Sequence, residues 1–184
     1  TVPKEIFKEI MFPLPPLEEQ KRIAGILDAA DILRAKRRET LAKLDDLLQS
    51  TFLDMFGDPV TNPRGWEKIT LKEIAPAQTS KVLFKPSEIV WHLNLDQIES
   101  QSGRILKKIY GPTSEAGSST YSFDTGNVLY SKLRPYLNKV VCPDSFGIAT
   151  TELVPLRPMP DQVERSYLTY FLRSKQFVNW VSNE

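Results

Sequence analysis

The sequence predicts an α/β (α+β) domain built on a mixed or antiparallel sheet, preceded by one long helix whose apolar seam is that of a coiled coil. Three observations carry this expectation. Residues 17–56 contain no proline and a single glycine, Gly25, and their apolar residues recur three and four apart. Beyond Trp66 the pattern changes to short β-branched and aromatic runs separated by turn formers. Near the end, SYLTYFLRSKQFVNWV returns to helical spacing.

Residues 1–16 come first. KEIFKEIMF alternates loosely and reads as a short strand, after which Pro13, Pro15 and Pro16 enforce an extended, proline-rich lead-in. Pro16 sits just inside a helix start, where its missing N–H costs nothing, and Glu18 and Glu19 complement the positive end of the helix dipole. The helix itself spans residues 17–56. Its pairing seam is marked by Ile23, Leu27, Ala30, Leu33, Leu41, Leu44, Leu48 and Met55, with Ile26, Leu47 and Phe52 in the same series. At 1.5 Å per residue such a helix is about 60 Å long. Arg34, Lys36, Arg37 and Arg38 interrupt the seam; they read as a solvated helix face, with an acidic partner or DNA phosphate as the alternative.

Residues 57–65 crowd Gly57, Asp58, Pro59, Asn62, Pro63 and Gly65 together, which stops the helix and makes a linker. The domain then occupies residues 66–184. Strands are expected at WEKITL, EIVWHLNL, RILKKIY, NVLYSKL, KVVC and GIATTELVPL. One helix follows, capped by Ser166 and presenting Tyr167, Leu168, Phe171, Leu172, Phe177 and Val178.

Composition narrows the function classes. Hydrophobic residues at 41% and charged residues at 26% describe a folded protein with a real core, not a disordered or membrane chain. No apolar run approaches the roughly 18 residues of a membrane span, and the first residues lack a signal-peptide layout, so a cytoplasmic protein is expected. The net charge of +1 says nothing about partners, because nucleic-acid binding needs a local basic surface.

Cys142 is the single cysteine, which excludes an internal disulfide and a multi-Cys zinc site and suggests a buried small apolar residue. His92 is the single histidine; within VWHLNL it reads as a strand residue satisfied by hydrogen bonding. The sequence has no phosphate loop, zinc-protease helix or nucleophile elbow, so no catalytic or metal site is assigned.

The most specific stretch is PLPPLEEQKRIAGILDAAD, opening a helix that closes as LLQSTFLDMFGDPVTNPRGW, followed by WEKITLKEIA, TGNVLYSKLRPYLNKVV and GIATTELVPLRP. Together these resemble the spacer helix and target-recognition domain of the DNA-specificity (S) subunits of Type I restriction-modification systems. The resemblance covers essentially the whole chain. It implies a non-catalytic subunit that reads half of a split double-stranded DNA target, its long spacer helix pairing as an antiparallel coiled coil and fixing the distance to the other half.

The implied partners are modification (methyltransferase) subunits, docked near Glu18, Gln20, Lys21 and Arg34, and a restriction subunit. S-adenosylmethionine, ATP and Mg would belong to those partners, none being bound directly. A complete subunit of the family has two recognition domains and two spacer helices, so a half-length chain or a fragment is expected, and a half-subunit would form a homodimer through the helix. Residues 1–12 are expected to complete the sheet edge of the recognition domain, within one chain or between two. The alternative is a coiled-coil interaction or decoy protein that regulates such a complex without reading DNA.

Within the domain, Ser131, Lys132, Arg134, Tyr136, Asn138 and Lys139 form the first set of candidate DNA contacts. Arg and Lys suit phosphate or guanine, Asn suits adenine, and Tyr donates to phosphate or stacks. Lys81, Lys85, Arg104, Lys107 and Lys108 form a second basic set, and Thr150 and Thr151 a weaker third. The competing reading makes these ordinary surface charges around a packed turn.

Overall fold

The computed structural model describes residues 6, 8–79, 84–117 and 119–183. The chain divides into two compact units, Thr1–Asp46 and Leu47–Glu184. Helix α1 runs unbroken over Leu17–Phe56, the span read from the apolar spacing. Its first turn carries Glu18 and Glu19, and its surface is tied by Glu18–Lys21, Glu19–Arg22, Asp31–Arg34 and Glu39–Lys43 pairs. Such exposed pairs add only a few tenths of a kcal/mol each, about enough to offset Gly25. At the other end Gly57, with φ +83°, bonds its N–H back to the Leu53 carbonyl and stops the helix.

The expected N-terminal strand is not seen at Ile6 and Lys8, which have helical backbone, with Glu9 N–H bonded to the Ile6 carbonyl. Lys and Glu are good helix formers, and loose alternation without a partner strand does not outweigh that preference. Residues 10–16 have no regular secondary structure, as three prolines in that stretch favour.

In the second unit, WEKITL is not a strand. Thr70 and Glu73 form a reciprocal capping box, which starts the one-turn helix α2, Leu71–Ile74. A four-stranded sheet follows in the order β2-β1-β6-β3, made of β1 Ile89–Leu93, β2 Ile109–Pro112, β3 Thr120–Phe123 and β6 Gly147–Thr150. β1 pairs antiparallel with β2 and parallel with β6, so the sheet is mixed. A three-stranded antiparallel sheet has the order β5-β4-β7, from β4 Val128–Ser131, β5 Val140–Val141 and β7 Leu153–Leu156.

GIATTELVPL is therefore two strands in two different sheets, divided by a turn at Thr151 and Glu152. RILKKIY is a strand only from Ile109 onward, Ile105 making a lone bridge to Ile98. β3 has no clear signature in the sequence because TYSF is short and half polar.

The layering explains the continuous apolar runs. Trp91, Leu93, Phe123 and Ala149 of the four-stranded sheet pack against Leu129, Val141 and Leu153 of the three-stranded sheet. The opposite face of the latter presents Val128, Val140 and Leu156 to Leu168 and Leu172 of helix α3, Arg165–Arg173. Adjacent residues thus point into two different cores, and a strand covered on both faces loses its polar alternation.

The C-terminal helix also divides. α3 is capped by the Glu164 carboxylate, which accepts from Tyr167 N–H at 2.7 Å, rather than by Ser166. Ser174, fully buried and extended at ψ 137°, ends it and caps α4, Lys175–Ser182.

Candidate nucleic-acid interface

The β4–β5 hairpin sets the geometry of the first candidate set. Ser131 N–H bonds to the Lys139 carbonyl, and residues 132–138 form the loop between. Pro135–Leu137 makes a 3-10 turn flanked by two left-handed residues, Arg134 at φ 52° and Asn138 at φ 49°. A left-handed conformation is uncommon for arginine and is held only where the surroundings fix it.

This arrangement sorts the six residues. Lys132, Arg134 and Tyr136 are exposed at the loop, and neither cation has an ion-pair partner among the described residues. Ser131 is only 3% exposed and donates to the Leu133 carbonyl at 3.0 Å. Asn138, 7% exposed, donates through Nδ2 to the Arg173 carbonyl at 3.0 Å, and Lys139 Nζ donates to the Leu95 carbonyl at 2.6 Å. Ser131 and Asn138 are therefore turned into the protein, where Asn138 Oδ1 accepts no hydrogen bond among the described residues, and Lys139 is half-buried with its ammonium on a backbone carbonyl. Sequence alternation does not separate them from their neighbours, because the loop's left-handed residues break the regular in-and-out order.

A second turn, Glu99–Arg104, lies against this loop. Gln101, at φ 69°, bonds its N–H to the Leu137 carbonyl and its Nε2 to the Tyr136 carbonyl, both at 2.9 Å. Arg173 Nη2 donates to the Gln101 carbonyl at 3.1 Å. Gly103 lets the turn approach β5, since a Cβ there would stand 2.0 Å from the Val140 carbonyl oxygen. Gln101 and Arg173 are absent from the sequence-based candidates; no local spacing reports that either reaches this loop.

In the second set, Arg104 joins the same neighbourhood, but its guanidinium is engaged by Glu99. The Ser102 hydroxyl and then Arg104 hold the Glu99 carboxyl below its ordinary range. Lys107 and Lys108 line an open cleft of about 450 Å³ with Trp91, Ile105, Leu106, Cys142 and Asp144. Lys107 is exposed. Lys108 Nζ bonds to Asp144 at 2.7 Å and stands 4.9 Å from the Trp91 ring centre, so it is a structural cation, and it holds the Asp144 carboxyl low.

Lys85 precedes β1 and sits beyond the Pro112 end of the β1–β2 ribbon, whereas Lys107 and Lys108 precede the Ile109 end. The strands therefore separate Lys85 from the others. Lys81 lies outside the described residues.

Cys142 is exposed in the cleft, its Sγ 2.9 Å from Thr169 Oγ1, and is not the buried residue expected. It follows the last strand position of the short β5, where the two-core alternation has already ended. His92 behaves as read, with Nε2 3.1 Å from the Gly111 carbonyl oxygen. Among the described residues no cluster of metal-binding side chains occurs, and no helix is long and apolar enough to cross a membrane.

Comparison with known proteins is specific. Residues 1–44 match the Type I restriction modification DNA specificity domain. The chain is 28% identical over 125 residues to the Type I restriction enzyme EcoDI specificity subunit of Escherichia coli, covering 66% of this chain and 27% of that protein. It is 35% identical over 99 residues to the MjaVIII specificity subunit of Methanocaldococcus jannaschii, covering 47% and 23%.

Among solved structures, the HsdS subunit from Thermoanaerobacter tengcongensis matches at TM-score 0.53 and 26% identity, over 61% of this chain and 30% of that one. A chain from a study of complex assembly and conformational transition of the type I R-M system matches in fold at TM-score 0.59 and 22% identity, over 66% and 33%. The chain is thus similar to part of the specificity subunits of Type I restriction-modification systems, spanning about a quarter of the curated relatives' length.

Proposed function

We propose that this chain is a non-catalytic reader of one half of a split DNA target, with α1 as the spacer that pairs with a second helix and docks modification subunits. The observation that carries the reading is the β4–β5 loop, which presents Lys132, Arg134 and Tyr136 together while its remaining polar residues are held internally. Two cations and an aromatic on a shaped loop suit phosphate contact and base-edge readout. Lys107, exposed at the cleft, adds a further cation. Methylation, ATP hydrolysis and cleavage then fall to modification and restriction subunits, which hold S-adenosylmethionine, ATP and Mg.

Helix pairing is supported by the apolar stripe. Ile23, Leu27, Ala30, Leu33, Leu41, Leu44, Leu48 and Met55 are all exposed, the large ones by 41% to 67%. A matching helix would cover them.

The test of DNA reading is a salt titration of binding to duplex DNA by the chain and by the Lys132→Ala/Arg134→Ala double variant. Each lost phosphate contact lowers the slope of log K against log salt by about 0.9, so the variant should bind more weakly with a slope smaller by up to about two units. An unchanged slope removes the loop from the interface.

A further inference from the structure

Burial holds the recognition loop only in part. Leu133 and Tyr136 are 45% and 56% exposed, whereas Leu137 is half-buried and the Pro135–Leu137 turn packs against α4. Packing therefore anchors one side of the loop, and the rest of its shape depends on hydrogen bonds from outside it. Those bonds converge on one place.

Asn138 Nδ2 donates to the Arg173 carbonyl, Arg173 Nη2 donates to the Gln101 carbonyl, and Gln101 returns two donors to the carbonyls of Leu137 and Tyr136. The circuit closes on itself: loop to helix end, helix end to second turn, second turn to loop. Arg173 occupies the last turn of α3, where its free carbonyl is available to a side-chain donor. Gln49 Nε2 reaches the same carbonyl at 3.4 Å, the long end of hydrogen-bond range.

We propose that Gln101, Asn138 and Arg173 are positioning residues that lock the Lys132–Lys139 loop in its reading conformation, without touching DNA themselves. The inference rests on the DNA-reading role proposed above and assigns Asn138 a different task from base contact. Two features support it. Gln101, Arg134 and Asn138 all adopt left-handed backbone, a conformation that persists only when the surroundings determine it. The closed circuit is also independent of the groups offered to DNA, so removing a clamp residue leaves the loop's cations present but loosely aimed. Loosely aimed cations still meet phosphate, whereas base-edge readout needs a fixed geometry.

The experiment uses the full chain and two variants, Asn138→Gly and Gln101→Gly, since glycine accepts the left-handed backbone without strain while removing the side-chain bonds; Asn138→Ala and Gln101→Ala, which lose the same bonds without glycine's added backbone freedom, should show the same direction of change. The probes are the duplex that the wild-type chain selects from a random-sequence pool and an unselected random duplex. Hydrogen exchange is followed in parallel.

The expected result is a loss of roughly tenfold in preference for the selected duplex, the size of one misread base pair, at an unchanged salt slope. Exchange should quicken at the Leu137 and Asn138 amides and in the Glu99–Arg104 turn, with the rest of the domain unmoved. Wild-type preference and wild-type exchange in both variants overturn the clamp alone. Quickened exchange throughout the domain in both variants marks these residues as general fold residues and also overturns it. A wild-type chain that selects no sequence overturns the reading function, and the clamp with it.

Discussion

Gly147 lies where β1 and β6 run parallel, opposite Trp91. A Cβ there would stand 2.4 Å from the Trp91 carbonyl oxygen and 2.7 Å from the Phe123 ring, so Gly147→Ala must push apart a strand pair and an edge-to-face aromatic contact. The expected loss is about 2–3 kcal/mol, measured by denaturant unfolding. Charge acts more gently at this scale. Glu99 and Asp144 both have carboxyls held below their ordinary range, by Ser102 with Arg104 and by Lys108 respectively. A lowered folded pKa stabilises above the unfolded value, near pH 4, and that stabilisation is lost as pH falls through the lower folded value. Both carboxylates are near the surface, so solvent screening keeps the contribution small. In a chemical-shift titration, Ser102→Ala should raise the Glu99 midpoint; no movement would show that the hydroxyl is not the cause.

Among the elements, α1 gives two contrasting predictions. Gly25 sits in the helix with nothing within 4 Å of the place an alanine methyl would take, so Gly25→Ala should stabilise the helix by about 1 kcal/mol, read by circular dichroism on heating. Phe52 behaves differently. It is 6% exposed and its ring lies 5.2 Å from Phe56 and 6.0 Å from Tyr167 of α3. Phe52→Ala should cost about 3 kcal/mol of domain stability, and a negligible change would show that this contact is not maintained. The seam spacing groups Phe52 with the outward-facing leucines, but the helix's last turns carry it into the domain instead. The division of SYLTYFLRSKQFVNWV has a similar origin, since apolar spacing continues across Ser174 while its burial and extended backbone end the first helix.

For the whole molecule, the uncovered stripe on α1 is the main energetic fact. Covering a leucine contributes up to about 2 kcal/mol, so several such positions suffice for stable association. In the proposed reading, a Leu41→Asp/Leu44→Asp variant should lose any concentration-dependent dimer in sedimentation equilibrium while the domain melts as before. A wild-type chain that remains monomeric at high concentration would leave pairing to a helix on another chain or segment. Much of this level is legible in the residues: the unbroken helix, its boundaries and the strands at 89–93, 128–131 and 140–141 follow from periodicity. The candidate site is legible only in part, with Lys132, Arg134 and Tyr136 exposed and Ser131, Asn138, Lys139, Arg104 and Lys108 engaged by neighbours that residue spacing does not reveal.

Most local elements were written into the chain itself, because helix period, glycine stops and β-branched runs act over a few residues. The similarity to Type I specificity subunits was written there too, in long unbroken motifs. Folding in three dimensions was needed to establish that GIATTELVPL serves two sheets, that Phe52 faces the domain, and which polar side chains remain available to a ligand. The physical reason is the same in each case: whether a side chain is spent or free depends on the partner that folding brings beside it, and Gln101, Asn138 and Arg173 are dozens of residues apart until the chain closes around the loop.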